Sequence, residues 1–271
     1  MELKGAVGIV TGASRGIGPV IARRLAGEGV RLALVARSEG GLREAAGRVA
    51  RHGPGPLVVP ADLRDEDAPR HVVDTVAAEL GPPSLLVNNA GVERVGRFAD
   101  ADAAAIREIV LVNLVAAQTM TRMVLPHLLA AGRGHIVSIG SVGGRTAYPY
   151  GVANAAAKHG LVGFTWSLRE ELRGTGVGVS AVYPTLVSDV GISSRWRAGH
   201  RPMLLGRVSP DEVALAVMRC IRKDKVEITL APPLLRASDV VSAVSPRLAS
   251  WVARRAGVHA YLRRVADGEG S

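Results

Sequence analysis

The run Ala6-Val7-Gly8-Ile9-Val10-Thr11-Gly12-Ala13-Ser14-Arg15-Gly16-Ile17-Gly18 decides the fold. Its first five residues are a short apolar stretch of the kind that forms a buried strand. The next eight form a glycine-rich turn, and a helical pattern follows directly. In that context each glycine has a job. Gly12 permits the tight turn, Gly16 lets the backbone approach a ligand, and Gly18 lets the helix pack closely on the strand. The new helix then presents unpaired N–H groups and a partial positive charge, which together suit a pyrophosphate. Ser14, Arg15 and Ile17 fill the remaining positions of this cradle and are candidate ligand contacts.

Outward from this turn, apolar runs alternate with longer helical patterns. The strand candidates are Ala6–Val10, Arg31–Ala36, Leu57–Pro60, Leu85–Asn88, His135–Ile139, Gly178–Tyr183 and Val226–Leu230. They are rich in Val, Ile and Leu without polar alternation, as in strands covered on both faces. Helices are expected at Ile17–Gly27, Gly40–Arg51, Glu66–Leu80, Ala101–Ala131, Ala153–Arg173 and Ser209–Arg222. The alternation implies an α/β doubly wound Rossmann fold, with a seven-stranded parallel sheet and helices on both faces. Residues 1–231 read as one nucleotide-binding catalytic domain. Within it, residues 190–208 break the rhythm and read as a lid that carries Arg195, Trp196, Arg197, His200 and Arg201. Residues 232–271 read as a C-terminal helical extension of the same domain. In it, Leu248–Val265 is expected to form one amphipathic helix with Leu248, Trp251, Val252, Val258, Tyr261, Leu262 and Val265 turned inward.

Composition narrows the function classes. The chain is 48% hydrophobic, enough for a large core, and its single cysteine, Cys220, rules out an intrachain disulfide. Cys220 lies in an apolar-periodic stretch and reads as a core residue. The N-terminus enters a strand at once, with no signal-peptide pattern, and no uninterrupted apolar run has the length of a membrane span. A cytoplasmic setting is therefore expected. The net charge is +10, and residues 191–271 carry 14 Lys/Arg against 7 Asp/Glu. No nucleic-acid motif accompanies that charge, so a small-molecule substrate is expected, with nucleic acid and membrane set aside. No metal site is expected. The end of the second strand is Ala36-Arg37, where a carboxylate would favour a free ribose 2′-hydroxyl. Arg37 and Arg15 instead suit a 2′-phosphate, so the cofactor expected is NADP(H).

The spacing Thr11-Gly12-xxx-Gly16-x-Gly18 resembles that of classical short-chain dehydrogenases/reductases. So do Asn88-Asn89-Ala90-Gly91 at the end of the fourth strand and Asp62-Leu63 after the third. Asn113 in a helical Val-Asn-Leu context, and Ser141 with Lys158 seventeen residues later, complete the pattern. The resemblance covers about residues 3–230. It implies that Asp62 and Leu63 flank the adenine, that Asn89, Ala90 and Gly91 line the cofactor, and that Pro184 and Val187 lie against the nicotinamide. It also implies a division of labour in which Ser141 binds the substrate oxygen and Lys158 holds the nicotinamide ribose. A tyrosine four residues before the lysine would exchange the proton, and Asn113 would fix a water. A homo-oligomer paired through the helices at 101–131 and 153–173 is expected on the same ground.

Two departures stand out. Four residues before Lys158 lies Asn154, which cannot release a proton near neutral pH; a missing general acid costs about 10²–10⁴ in rate. After the sixth strand the family pattern Pro-Gly-x-Val/Ile-x-Thr becomes Pro184-Thr185-Leu186-Val187-Ser188-Asp189, with Ser188 as a substitute side-chain contact. Tyr150, Tyr183 and His159 are the alternative proton donors; Tyr150 is the foremost if its helix begins early enough, and Tyr148 is assigned to the loop. Three functional readings follow: an oxidoreductase with an altered or disabled proton relay, a non-redox enzyme (cyclase, isomerase or lyase) on the same fold, or a cofactor-binding homologue without catalysis.

Overall fold

Strands whose two faces are both apolar need cover on both sides, and the chain provides it. The computed structural model describes residues 1–188, 190, 196 and 200–268. It contains seven strands: β1 (Val7–Thr11), β2 (Arg31–Ala36), β3 (Leu57–Pro60), β4 (Leu85–Asn88), β5 (Gly134–Ile139), β6 (Val177–Pro184) and β7 (Glu227–Leu230). They form one sheet in the order β3-β2-β1-β4-β5-β6-β7, and every pairing is parallel. The order reverses at β1, between β2 and β4. Connections leave in opposite directions there, which opens a crevice at the carboxyl ends of the strands. The doubly wound expectation holds, with strand ends moved by one residue at several places.

Helices α1 (Gly18–Gly27), α2 (Glu39–Val49) and α7 (Pro210–Lys223) cover one face. Ile21, Leu25, Leu42, Val213 and Val217 are buried there, with the free Cys220 among them. α3 (Ala68–Leu80), α5 (Ala116–Ala130) and α6 (Val152–Glu171) cover the other with Val72, Val76, Met120, Val124, Leu128 and Leu168. A capping box fixes the start of α7: Ser209 accepts from the Glu212 N–H while the Glu212 carboxylate accepts from the Ser209 N–H.

The helix expected over 101–131 is not uniform. α4 (Ala103–Val110) passes into a π-helical segment, Leu111–Val115, before α5 begins. Taken together, 103–130 is long and apolar enough to cross a membrane by length and composition, the one such helix among the described residues. Here α5 is a packed layer of the domain, with Met120, Val124 and Leu128 fully buried against the sheet.

The C-terminal extension also differs from the expected single amphipathic helix. It consists of α8 (Pro233–Val244), α9 (Pro246–Arg255) and α10 (Val258–Ala266). Pro246 starts a new helix, and Gly257 at φ +77° turns the chain between the last two. Val258, Tyr261 and Leu262 are buried as expected, but the turn at Gly257 rotates α9 away, and Leu248 and Trp251 remain 50% and 51% exposed. Of the lid, the described part includes a 3₁₀ turn at Met203–Leu205 and a parallel bridge from Val187 to Val208. Asp189, Arg195 and Arg197 lie outside the described residues.

Candidate active site

The carboxyl ends of the central strands open onto one cavity of about 1000 Å³. The glycine turn forms one wall. Gly12 and Gly16 adopt φ +63° and +69°, which other residues resist. A Cβ on Gly12 would stand 2.8 Å from Ala90 Cα, and one on Gly18 would stand 2.4 Å from the Gly12 carbonyl oxygen. Gly18 therefore works behind the turn, out of the cavity, while Gly12, Ser14, Arg15, Gly16 and Ile17 line it. The start of α1 has no side-chain cap, so its N–H groups are available to an anion.

The end of β4 braces this turn. Thr11 Oγ1 accepts from both the Asn89 and Ala90 N–H groups at 3.0 Å. The Asn89 amide donates to the Thr11 and Gly12 carbonyls at 2.9 and 3.1 Å. Asn89, Ala90 and Gly91 all reach the cavity. At the far end of the crevice Arg37, Asp62 and Leu63 line it too. The Arg64 guanidinium, hydrogen-bonded to Asp62, holds that carboxyl below its ordinary value. Glu108 of α4 lies 3.7 Å from Arg37 and also pairs with Arg64 and Arg94. With Arg15 on the glycine turn, four guanidiniums face the two carboxylates of Asp62 and Glu108, so this end is net cationic and could hold a phosphate.

The opposite end holds Asn113, Ser141, Asn154 and Lys158 in the same cavity. Asn113 sits in the π-helical segment, a local widening common at functional sites. Its carbonyl accepts from the Val92 N–H at 2.8 Å, which fixes which way round the amide lies. The Asn113 amine then donates to the Val92 carbonyl and to Asn154 Oδ1, each at 2.8 Å. Asn154 is thereby oriented in turn, and its own amine donates to Glu93 Oε1 at 2.8 Å. Burial raises the Glu93 carboxyl above its ordinary value, against the opposing pulls of the Tyr148 hydroxyl, the Lys158 ammonium and the Asn154 amide. Burial likewise pushes the Tyr148 hydroxyl well above its usual range, and the adjacent Glu93 pushes it further. Lys158 donates to the Ile139 carbonyl at 2.7 Å, and burial pulls its ammonium down to about 8, with Glu93 pulling the other way.

Ser141 follows β5 and caps the next turn, its hydroxyl accepting from the Gly143 N–H at 3.1 Å. Gly144 carries the chain so close to α6 that a Cβ there would meet Lys158 Cβ at 2.7 Å. Pro184 and Val187 line the cavity. Ser188 does not stand in as expected, because its N–H and hydroxyl both donate to the Val208 carbonyl. Nor does Tyr150 lie on the helix with Lys158. α6 begins at Val152, and Tyr150 sits before it at φ +65°, packed with Tyr261 and Leu262. Tyr183 is fully buried beneath Arg145, outside the cavity lining, and its hydroxyl is raised by burial. His159 reaches the cavity rim but is exposed, with Nδ1 2.9 Å from the Ala155 carbonyl.

Sequence reasoning missed three side chains. Glu93, two residues beyond Asn-Asn-Ala-Gly, was detectable as an acid next to a nucleotide motif. Tyr148 was assigned to the loop, yet its ring packs so closely that a Cβ on Gly151 would meet it at 2.2 Å. Arg145 lines the cavity and pairs with Glu227 of β7 and Asp239 of α8, at 2.7 and 3.0 Å. The extension supplies the facing wall, which is largely apolar: Leu234, Leu235, Val252, Val258 and Leu262.

A family model described as short chain dehydrogenase matches residues 6–200. Among curated relatives, the ketoacyl reductase HetN of a Nostoc species is 34% identical over 98% of this chain and 94% of its own. The 3-oxoacyl-[acyl-carrier-protein] reductase FabG of Escherichia coli is 34% identical over 69% of this chain and 75% of its own. A solved actinorhodin polyketide ketoreductase variant with NADPH superimposes with a TM-score of 0.77 at 33% identity, covering 83% of this chain and 95% of that one. A metagenomic short-chain oxidoreductase in complex with NADP gives 0.74 at 33% identity over 86% and 99%.

Proposed function

Because this chain belongs to the short-chain dehydrogenase family, we propose that it is an NADP(H)-dependent oxidoreductase that interconverts a ketone and an alcohol on a ketoacyl-type organic substrate. One observation carries the reading: a single cavity holds an uncapped glycine cradle, a cationic end, and the group Ser141, Asn154 and Lys158. The cradle fits the cofactor's pyrophosphate: Gly12 and Gly16 line it at positive φ, a Cβ on Gly12 would strike Ala90, and the start of α1 carries no side-chain cap. Ser14, Arg15 and Ile17 complete that contact. Arg15 and Arg37 take the 2′-phosphate, Asp62 and Leu63 flank the adenine, and Asn89, Ala90 and Gly91 line the middle. Lys158 holds the nicotinamide ribose, with Pro184 and Val187 against the nicotinamide. When bound, the reduced nicotinamide supplies a hydride to the carbonyl carbon.

The chain's own groups handle the oxygen. Ser141 donates to it, and the Lys158 ammonium stabilises negative charge that develops beside it. Asn113 and Asn154 orient the polar end rather than exchange protons. The relatives named ketoacyl or polyketide reductases point to an acyl substrate, and the apolar wall from α8 to α10 suits an acyl chain while the ketone meets the polar end. The test is cofactor titration. NADPH should bind more tightly than NADH, and Arg37→Asp should weaken NADPH by about 10- to 100-fold, the worth of a charge-assisted hydrogen bond, with little change for NADH. Equal affinity for the two cofactors in the unaltered protein would refute the assignment.

A further inference from the structure

The family's proton-exchanging phenol is absent, but the polar end is not without an acid. Among the described residues, Glu93 is the one carboxyl that lines the cavity beside Asn154 and Lys158. Asn154 holds it at 2.8 Å, and Asn113 holds Asn154. An amide side chain plus one hydrogen bond reaches about as far from the helix as a phenol does. The substitution at position 154 thus coincides with a carboxyl placed by that residue. Tyr148 faces Glu93 from the loop after β5, and Lys158 faces it from α6.

We propose that Glu93 is the acid–base residue of this enzyme, giving the proton to the carbonyl oxygen in reduction and taking it back in oxidation, with Asn154 and Asn113 as its positioning residues. The proposal rests on the oxidoreductase reading above. In the reductive direction a C–H bond forms at the carbonyl carbon, with both electrons supplied by NADPH. The π pair of the C=O bond moves onto oxygen, an O–H bond forms there, and the Glu93 O–H bond breaks. The resulting carboxylate is reprotonated from solvent, so one ketone, one NADPH and one proton give one alcohol and one NADP⁺. Three features of the site suit the role. The carboxyl is raised by burial, so it keeps a transferable proton nearer to neutral pH than an ordinary glutamate. Tyr148, shifted well above its usual range, is the poorer donor. Lys158 stabilises the carboxylate once the proton has left.

The experiment compares the full-length protein with Glu93→Gln, Glu93→Asp and Tyr148→Phe. Infrared difference spectroscopy without cofactor or substrate should show a protonated carboxyl that disappears as pH rises and is missing from Glu93→Gln. NADPH binding should be unchanged in Glu93→Gln. With ethyl acetoacetate and acetoacetyl-N-acetylcysteamine as probes, its kcat should fall by about 10²–10⁴. The unaltered enzyme should lose reduction rate as pH rises through the Glu93 titration; Glu93→Gln should lack that limb, and Glu93→Asp should retain it. An unchanged rate and pH profile in Glu93→Gln would overturn the proposal and leave the oxidoreductase reading standing. So would a loss of rate confined to Tyr148→Phe, or parallel losses of rate and NADPH affinity in Glu93→Gln, which would make Glu93 merely structural. If the unaltered protein binds NADPH but reduces neither probe at any pH, the oxidoreductase reading itself fails and takes this proposal with it.

Discussion

Replacing Lys158 by Met should make the protein more stable at neutral pH. The Lys158 ammonium titrates at about 8 in the fold, against 10.5 for an ordinary lysine, because burial penalises its charge. The gap of 2.5 pH units, at 1.36 kcal/mol each, amounts to about 3.4 kcal/mol. That figure is a ceiling, because the side chain is only half-buried and borders an open cavity. Discounting for that contact with solvent, and for the lost hydrogen bond to the Ile139 carbonyl, leaves a gain of about 1–2 kcal/mol at pH 7. The sign follows from proton counting. Between pH 8 and 10.5 the unfolded chain still holds the proton that the folded chain has released, so stability rises with pH through that window. Below pH 8 both states are protonated and the cost is fully present. Lys158→Met removes the slope. Urea unfolding of both proteins without cofactor, at steps from pH 7 to 10, measures this. The Met variant should lead at pH 7, with its advantage shrinking as pH rises. Parallel stability curves between pH 8 and 10, or a less stable Met variant at pH 7, would refute the reasoning.

His135 should act at the other end of the scale. Burial depresses it to about 4, and its Nε2 lies 2.7 Å from Ser180 Oγ, whose own proton goes to the Lys225 carbonyl. The unfolded chain takes up this proton first as pH falls from 6.5 to 4, so up to about 3.4 kcal/mol of stability is lost there; guanidinium melts of His135→Gln should lack that loss. Asn154→Leu should strand Asn113 and Glu93 without their mutual link, costing about 1–3 kcal/mol in thermal or urea unfolding. It should also move the alkaline limb of ketone reduction upward, because the Asn154 hydrogen bond lowers the Glu93 carboxyl. Finally, the helices at 103–130 and 152–171 should pair between copies, giving a homo-oligomer by light scattering at micromolar concentration; a monomer would count against it.

The fold was legible because a doubly covered parallel sheet leaves a plain signature, apolar runs such as Leu32–Val35 between helical stretches. The glycine turn was legible because backbone conformation and close approach leave few alternatives at Gly12 and Gly18. Elsewhere the signal was absent or ambiguous. One extra residue per turn at Leu111–Val115 barely disturbs an apolar pattern, so the π segment was hidden. Leu248 and Trp251 share an apolar periodicity with Val258, but the left-handed Gly257 splits the helix and turns that face elsewhere. Tyr150 falls off the helix because the chain between Pro149 and Gly151 follows a path that no spacing rule encodes. Glu93 is the clearest case. Its environment is assembled by Asn113, Tyr148, and the α6 pair Asn154 and Lys158, three separate stretches, and burial rather than sequence neighbourhood gives it its character.

Arg145 ties together parts of the chain that otherwise look independent. It stands four residues after Ser141 and three before Tyr148, yet its guanidinium is gripped by Asp239 of α8 and Glu227 of β7, over the rings of Tyr183 and Trp166. The family match ends at residue 200, so Asp239 lies in the part of the chain beyond it. The loop bearing Ser141 is therefore tethered from behind by the same appendage that walls the cavity. Remodelling that appendage to admit a different guest would pull on the Ser141 loop through one guanidinium. Substrate choice and turnover should then be mechanically yoked, and directed evolution of one should show up as drift in the other.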